Sequence, residues 1–120
     1  MLEVMTTAYI EAIYFTETGD QGQPATTAEL HPLTKAQAYF ACRQFESAAR
    51  ELRIDLSRWS PIQLGHDLWL TRNGHGVGFW DRPEIYGEQS SRLFTAFAHA
   101  MGEHDACFVD DNEGADDDTM

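Results

Sequence analysis

The segment from Gly65 to Arg82, GHDLWLTRNGHGVGFWDR, decides the fold that the sequence predicts. Its two ends, His66–Thr71 and Val77–Trp80, are short apolar and aromatic runs of the length of β-strands. Between them lies Asn73-Gly74, a dipeptide that favours the positive φ angles of a tight hairpin turn. The segment therefore predicts a β-hairpin that turns at Asn73 and Gly74.

Three amphipathic helices are predicted on either side of the hairpin, because apolar side chains recur there at spacings of three and four residues. They cover Met5–Thr16, Thr34–Leu52 and Ser91–Met101. The second helix begins with a capping box, in which Thr34 is the N-cap and Gln37 is its partner. Gly102 is typical of a residue that ends a helix, and Ala106–Val109 is predicted as a last strand.

These elements predict an α+β domain over residues 1–109, with three helices packed on a small antiparallel sheet made of the hairpin and the C-terminal strand. A turn-rich surface loop is expected at Gly19–Pro24. The acidic tail, residues 110–120, is expected to be disordered, because its six acidic side chains repel one another and no apolar anchor accompanies them. The predicted core residues are Leu68, Leu70, Phe79, Phe45, Leu52, Ile13 and Phe97.

The chain carries 20 acidic and 8 basic residues, which gives a formal net charge of −12. Such a charge repels polyphosphate and anionic lipid, so we expect neither direct nucleic-acid binding nor membrane binding. A charged partner is therefore expected to be basic. The N-terminal sequence lacks the basic and apolar regions of a signal peptide, and no apolar run has the length of a spanning helix. We expect a soluble, cytoplasmic protein.

The Gly65–Arg82 segment resembles a block found in small acidic proteins of bacteriophages and mobile elements, a largely uncharacterised family. The resemblance extends more loosely to Thr7–Glu11, to the helix around Leu93 and to Gly102-Glu103, and it ends before the aspartate-rich tail. It implies a phage accessory protein and supplies no catalytic residues. Phage proteins of this kind include anti-CRISPR proteins and other inhibitors of host defence, among them DNA mimics.

The leading hypothesis is a non-enzymatic, phage-encoded inhibitor that binds a basic surface of a host nucleic-acid-handling protein or ribonucleoprotein complex. Its specific form is an anti-CRISPR protein that acts by DNA mimicry or steric block in the host cytoplasm. No nucleophile motif, phosphate-binding loop or metal-ligand pattern is present, so no catalytic residue, cofactor or metal is predicted. The candidate partner-binding residues are Glu11, Asp81, Glu84, Glu88, Trp80 and Arg82.

Two alternatives stay open at this point. The first is a metal-dependent hydrolytic enzyme that uses His66, Asp67 and His75 of the predicted hairpin as ligands, although their spacing matches no established metal motif. The second is a phage accessory binding module whose partner has no role in host defence.

An aromatic feature of the same block allows two interpretations. Trp69, Phe79 and Trp80, flanked by Arg72 and Arg82, resemble a platform on which the bases of single-stranded nucleic acid stack. The competing interpretation is that the rings pack in the core. We favour core packing, because a chain with this net charge has no basic groove for a nucleic-acid backbone.

Overall fold

The computed structural model describes residues 1–18, 29–74 and 78–109. Three predicted features lie outside these ranges, namely the loop at 19–24, His75 of the predicted hairpin and the tail at 110–120. The described residues form five α-helices and no β-strand. Their one β-type pairing is an isolated antiparallel bridge between Leu30 and Phe108. The predicted α+β class, with helices on an antiparallel sheet, is therefore wrong.

The first helix, α1, spans Leu2–Ile13 and continues into a π-helical turn at Tyr14–Thr18. Met5, Tyr9 and Ile13 recur every four residues along it and are fully buried. This stripe is the one from which the sequence predicts a helix. The prediction is confirmed, although the helix starts three residues before Met5.

The second helix, α2, spans Pro32–Glu51 and confirms the second predicted helix. Its start differs, because His31 is the N-cap and the His31 Nδ1 atom accepts a hydrogen bond from the Leu33 backbone N–H at 3.0 Å. Thr34 lies inside the helix, and its hydroxyl accepts a hydrogen bond from the Cys107 backbone N–H. The predicted capping role of Thr34 is therefore wrong.

The first half of the predicted hairpin is a helix, α3, which spans Pro61–Arg72. Ser60 caps it by accepting a hydrogen bond from the Gln63 backbone N–H, and Pro61 occupies its first turn. Six residues distributed over more than half of its circumference are buried: Leu64, Gly65, Asp67, Leu68, Trp69 and Thr71. The remaining arc mixes Ile62 and Leu70 with Gln63 and His66, so no continuous polar face marks the helical period in the sequence.

The Asn73-Gly74 dipeptide ends α3 instead of turning a hairpin. Asn73 is the C-cap, and Gly74 follows it with a φ of +65°. A left-handed glycine serves a helix end and a hairpin turn equally well, which explains why the prediction failed here. The second predicted strand is also wrong in its described part, since Phe79–Asp81 is a 3₁₀ turn.

Two further helices complete the described fold. A short helix, α4, spans Pro83–Tyr86, and α5 spans Glu88–Met101. The last helix confirms the prediction over 91–101, and Gly102 ends it with a φ of +78°. The predicted strand at 106–109 contributes only the bridge from Phe108 to Leu30.

Helix α1 packs most extensively on α3, and the two helices cross closely at Gly65. A Cβ atom at that position would collide with the Met5 carbonyl oxygen. An aromatic cluster fills the other side of the core, where Phe45 stacks on Phe79 with ring centroids 5.3 Å apart and contacts Phe94 at 4.9 Å.

Four of the predicted core residues, Ile13, Phe45, Leu68 and Phe79, are fully buried. Leu70 and Phe97 are only partly buried. Leu52 is 51% exposed, so its assignment to the core is wrong. It lies just after α2, where the chain leaves the helix axis and the apolar stripe no longer faces the core.

Candidate functional site

Five of the six candidate partner-binding residues lie together in the stretch from Phe79 to Glu88, here called the 79–88 segment. Phe79 and Tyr86 are buried, and Arg82 is half-buried between them. The residues between these three face solvent, with Trp80 51% exposed and Ile85 40% exposed. The segment therefore holds an inward row of side chains and presents an outward row of aromatic, apolar and acidic ones.

The inward row is fastened to a carboxylate on α3. Asp67 is fully buried and accepts hydrogen bonds from Arg82 Nε at 3.0 Å, from the Tyr86 hydroxyl at 2.6 Å and from Gln63 Nε2 at 2.9 Å. Burial and the hydrogen bond to Asp67 hold the pKa of the Tyr86 hydroxyl above its usual range, so this hydroxyl remains a donor. Arg82 thus has an internal partner, which the sequence does not reveal.

The outward row contains carboxylates without such partners. Within the described ranges, no basic side chain pairs with Asp81 or Glu84, and both residues are exposed. Glu88 differs, because its Oε1 atom lies 2.9 Å from Arg92 Nη2 one helical turn further on. No aromatic ring of the described residues packs against the indole of Trp80.

A second tryptophan lies at the base of the same segment. Trp59 Nε1 donates a hydrogen bond to the Ile85 carbonyl oxygen at 2.9 Å. The Arg58 Cζ atom lies 5.0 Å from the centroid of the Trp59 ring, which is a cation–π distance. Trp59 is therefore already stacked with an arginine of this chain, whereas Trp80 is not.

The remaining candidate, Glu11, lies elsewhere. It is on α1, where its Oε1 atom is 3.6 Å from His66 Nε2 on α3. It also lines a shallow groove between these two helices, together with Val4 and Ile62. The structure therefore does not join Glu11 to the 79–88 segment.

The residues proposed as ligands in the metal-hydrolase alternative do not lie together in the described structure. His66 and Asp67 are adjacent on α3, but His66 lies beside Glu11 of α1 while Asp67 is enclosed by its three donors. His75 is outside the described residues. In the ranges that the structure describes, no three His, Cys, Asp or Glu side chains form a metal-binding group. The geometry thus supplies this alternative with no ligand set there.

The three aromatic rings that resemble a stacking platform do not form one exposed surface. Trp69 is fully buried and its Nε1 atom donates to Thr16 Oγ1 at 2.6 Å, and Phe79 is buried in the aromatic cluster. Arg72 is directed at the chain itself, since its Nε atom donates to the Gly102 carbonyl oxygen at 2.8 Å. Only Trp80 remains exposed. Core packing is therefore the correct interpretation for two of the three rings.

A partly buried network, which the sequence does not reveal, joins Tyr9, Gln37, Arg72 and His104. Arg72 Nη1 donates to the Tyr9 hydroxyl at 3.0 Å, so that hydroxyl directs its own hydrogen to His104 Nδ1 at 2.7 Å. His104 Nε2 is left to donate to Gln37 Oε1 at 3.0 Å. This assignment makes His104 neutral. Burial and the nearby Arg72 charge lower the pKa of His104, in agreement with it.

The buried groups near this network are not activated nucleophiles. Burial raises the pKa of the Tyr9 hydroxyl above its usual range and raises the pKa of the Cys42 thiol to about 12. Both groups therefore stay protonated near neutral pH, and a protonated thiol is a poor nucleophile. The network instead ties residues 102–109 to α2 and α3, since the His104 backbone N–H also donates to Asn73 Oδ1 at 3.0 Å.

No protein-family model, curated protein or solved structure matches this sequence. The relation to phage proteins, suggested by the Gly65–Arg82 block, therefore stays a prediction. None of the described helices is both long enough and apolar enough to cross a membrane.

Proposed function

We propose that this chain is a non-enzymatic binding protein whose 79–88 segment docks on a basic surface of a host nucleic-acid-handling protein or ribonucleoprotein complex. One observation carries the proposal: exposed Trp80 and Ile85 lie beside Asp81 and Glu84, whose carboxylates have no basic partner in the described part of the chain. Aromatic anchors within a polar rim are typical of protein interfaces. Complementary charge adds a faster association with the correct partner.

Steric block is the form of inhibition that the segment supports better than DNA mimicry. A DNA duplex presents about one negative charge per 1.7 Å along its axis, in a regular array. Within the 79–88 segment, Arg82 is paired with Asp67 of α3 and Glu88 is paired with Arg92 of α5, so Asp81 and Glu84 are its carboxylates without a basic partner among the described residues. Such a compact patch suits a limited basic site. The resemblance of the Gly65–Arg82 block to phage proteins is the ground on which the proposal includes a phage origin, an anti-CRISPR role and a location in the host cytoplasm.

The test compares reversed charges at two places on the protein. Host proteins captured by the wild-type chain are identified, and the association rate with the captured partner is measured at low and high salt. Reversal of Asp81 and Glu84 to lysine is expected to slow association at least about tenfold at low salt. The matched control reverses Glu3 and Glu51, which lie exposed on α1 and α2 and change the net charge equally.

Two outcomes contradict the proposal. An equal loss in both double variants would show that net charge, and not the 79–88 segment, drives the association. An unchanged rate in the Asp81 and Glu84 variant would show that the segment is not the interface. The anti-CRISPR form is tested separately, by whether expression of the chain restores phage growth on a CRISPR-protected host and whether the segment variant fails to do so.

A further inference from the structure

We propose that the 79–88 segment recognises arginine side chains in particular, with a guanidinium group stacked on Trp80 and hydrogen-bonded by Asp81 or Glu84. This inference rests on the proposed function and specifies the chemistry of the partner. It depends on three features of the described residues: an exposed indole between two anchored positions, flanking carboxylates, and an internal example of an arginine over a tryptophan ring.

The indole is presented from a fixed backbone. On one side of Trp80, the Phe79 backbone N–H donates to Thr71 Oγ1 at 3.0 Å, and a Cβ atom at Gly78 would collide with that same oxygen. On the other side, Arg82 is held by Asp67. Trp80 therefore lies between two anchored positions. Its backbone is already ordered, so less conformational entropy is lost when a partner binds.

The flanking groups match a guanidinium better than an ammonium. Asp81 follows Trp80 directly and Glu84 lies four residues after it, and both side chains are on the outward row. A guanidinium is planar, stacks on an aromatic face and presents several N–H donors to carboxylates at the same time. The lysine ammonium is a compact and strongly hydrated charge, and it gains less from this arrangement.

Trp59 supplies the internal example. Arg58 stacks on it at 5.0 Å, and Trp59 is hydrogen-bonded to Ile85 of the segment itself. Trp80 has the same ring, is 51% exposed and has no described residue stacked on it. A basic surface that binds nucleic acid carries arginine side chains, since arginine is a principal ligand of phosphates and bases, and such a side chain can stack on the exposed ring of Trp80.

The test measures binding of the full chain to two probes by calorimetry, an octa-arginine peptide and an octa-lysine peptide of equal length and charge. The arginine peptide is expected to bind about two- to fivefold more tightly, which is the range of a solvent-exposed cation–π contact. Trp80→Ala should abolish this preference and leave salt-dependent binding of both peptides. Phe40→Ala, which removes a 58% exposed ring on α2, should leave the preference unchanged.

The outcomes separate this inference from the proposed function. Equal, salt-dependent binding of both peptides that is lost in the Asp81→Asn and Glu84→Gln double variant would overturn arginine specificity and leave the basic-surface proposal standing. A preference for arginine that persists in Trp80→Ala would also overturn the inference. If neither peptide binds, the inference is wrong, and the charge-reversal experiment with the captured partner decides the proposed function on its own.

Discussion

Two polar networks fasten the 79–88 segment and residues 102–109 to the same helix, α3, by different chemistry. In the first, the Asp67 carboxylate accepts hydrogen bonds from Arg82 and Tyr86 and holds the 79–88 segment. In the second, Arg72 donates to Tyr9, which in turn bonds His104 and holds residues 102–109. The first network is an ion pair around a buried carboxylate, whereas the second contains a neutral imidazole.

The two networks differ in how much stability the protein loses when one of their groups is removed, and in whether they respond to pH. A buried carboxylate that loses its cation, or a cation that loses its carboxylate, is left uncompensated in a poorly solvated site. A neutral histidine that loses a hydrogen bond is less costly, but it can take up a proton as the pH falls below about 6.5. We therefore expect the Asp67 network to respond mainly to mutation and the His104 network to respond also to pH.

Asp67→Ala should produce the largest effect. We expect the free energy of unfolding, measured by urea denaturation, to fall by about 3–5 kcal/mol, because Arg82 and the buried Tyr86 hydroxyl both lose their acceptor. Glu84→Ala is the control, since Glu84 is exposed in the same segment and should change the stability by less than about 0.5 kcal/mol. A loss below about 1 kcal/mol for Asp67→Ala would show that the ion pair does not anchor the segment.

Gly65→Ala should disturb the second network more than the first. The added methyl group would meet the Met5 carbonyl oxygen, which belongs to the backbone and cannot rotate away, so α1 must shift relative to α3. We expect a loss of about 1–3 kcal/mol in unfolding free energy, together with altered NMR signals of His104, whose partner Tyr9 is on α1. Thr7→Ala on the exposed face of α1 is the control. Changed NMR signals of Arg82 together with unchanged signals of His104 would show that Gly65→Ala disturbs the first network and not the second.

The contrast between α2 and α3 explains which part of the fold the sequence reveals. Helix α2 buries one stripe and exposes the other side, so its period is visible in the residue pattern. Helix α3 is buried over most of its surface, so periodicity cannot distinguish it from a strand. The helix start at Ser60-Pro61, with Gln63 at the third helical position, was the available signal, since Ser, Pro and Gln are typical of these positions.

The candidate site was predictable to a similar extent. Exposed acids and an aromatic side chain in one short segment can be identified from the sequence, and Trp80, Asp81 and Glu84 do lie together. The partners of Arg82 and His104 could not be identified. Asp67 is 15 residues away from Arg82, and Tyr9 is 95 residues away from His104, so only the tertiary fold brings these pairs together.

Ser91→Ala tests a buried polar group that belongs to neither network. Its hydroxyl is buried and has no hydrogen-bond partner among the described residues, so its removal should raise the free energy of unfolding by about 1 kcal/mol. Ser90→Ala, at the neighbouring and only partly buried position, shows how much of the gain is helix propensity alone. Equal gains in the two variants would indicate that Ser91 is not an unsatisfied group.

The pH dependence of stability should show the smallest effect, because a single proton is involved. Since the pKa of His104 is lowered in the folded chain, the unfolded chain binds more protons between that value and its own pKa of about 6.5. The stabilisation is therefore complete above about pH 6.5 and is lost as the pH falls below it. Asp105 and Glu103 lie near the imidazole, and the Arg72 charge opposes its protonation. The measurement therefore uses the full chain, in which all of these charges are present. Urea denaturation at about pH 7.5 and about pH 5.5 should give a smaller difference for His104→Gln than for the wild type. An equal difference would assign the pH dependence to other groups and would remove the distinction between the two networks.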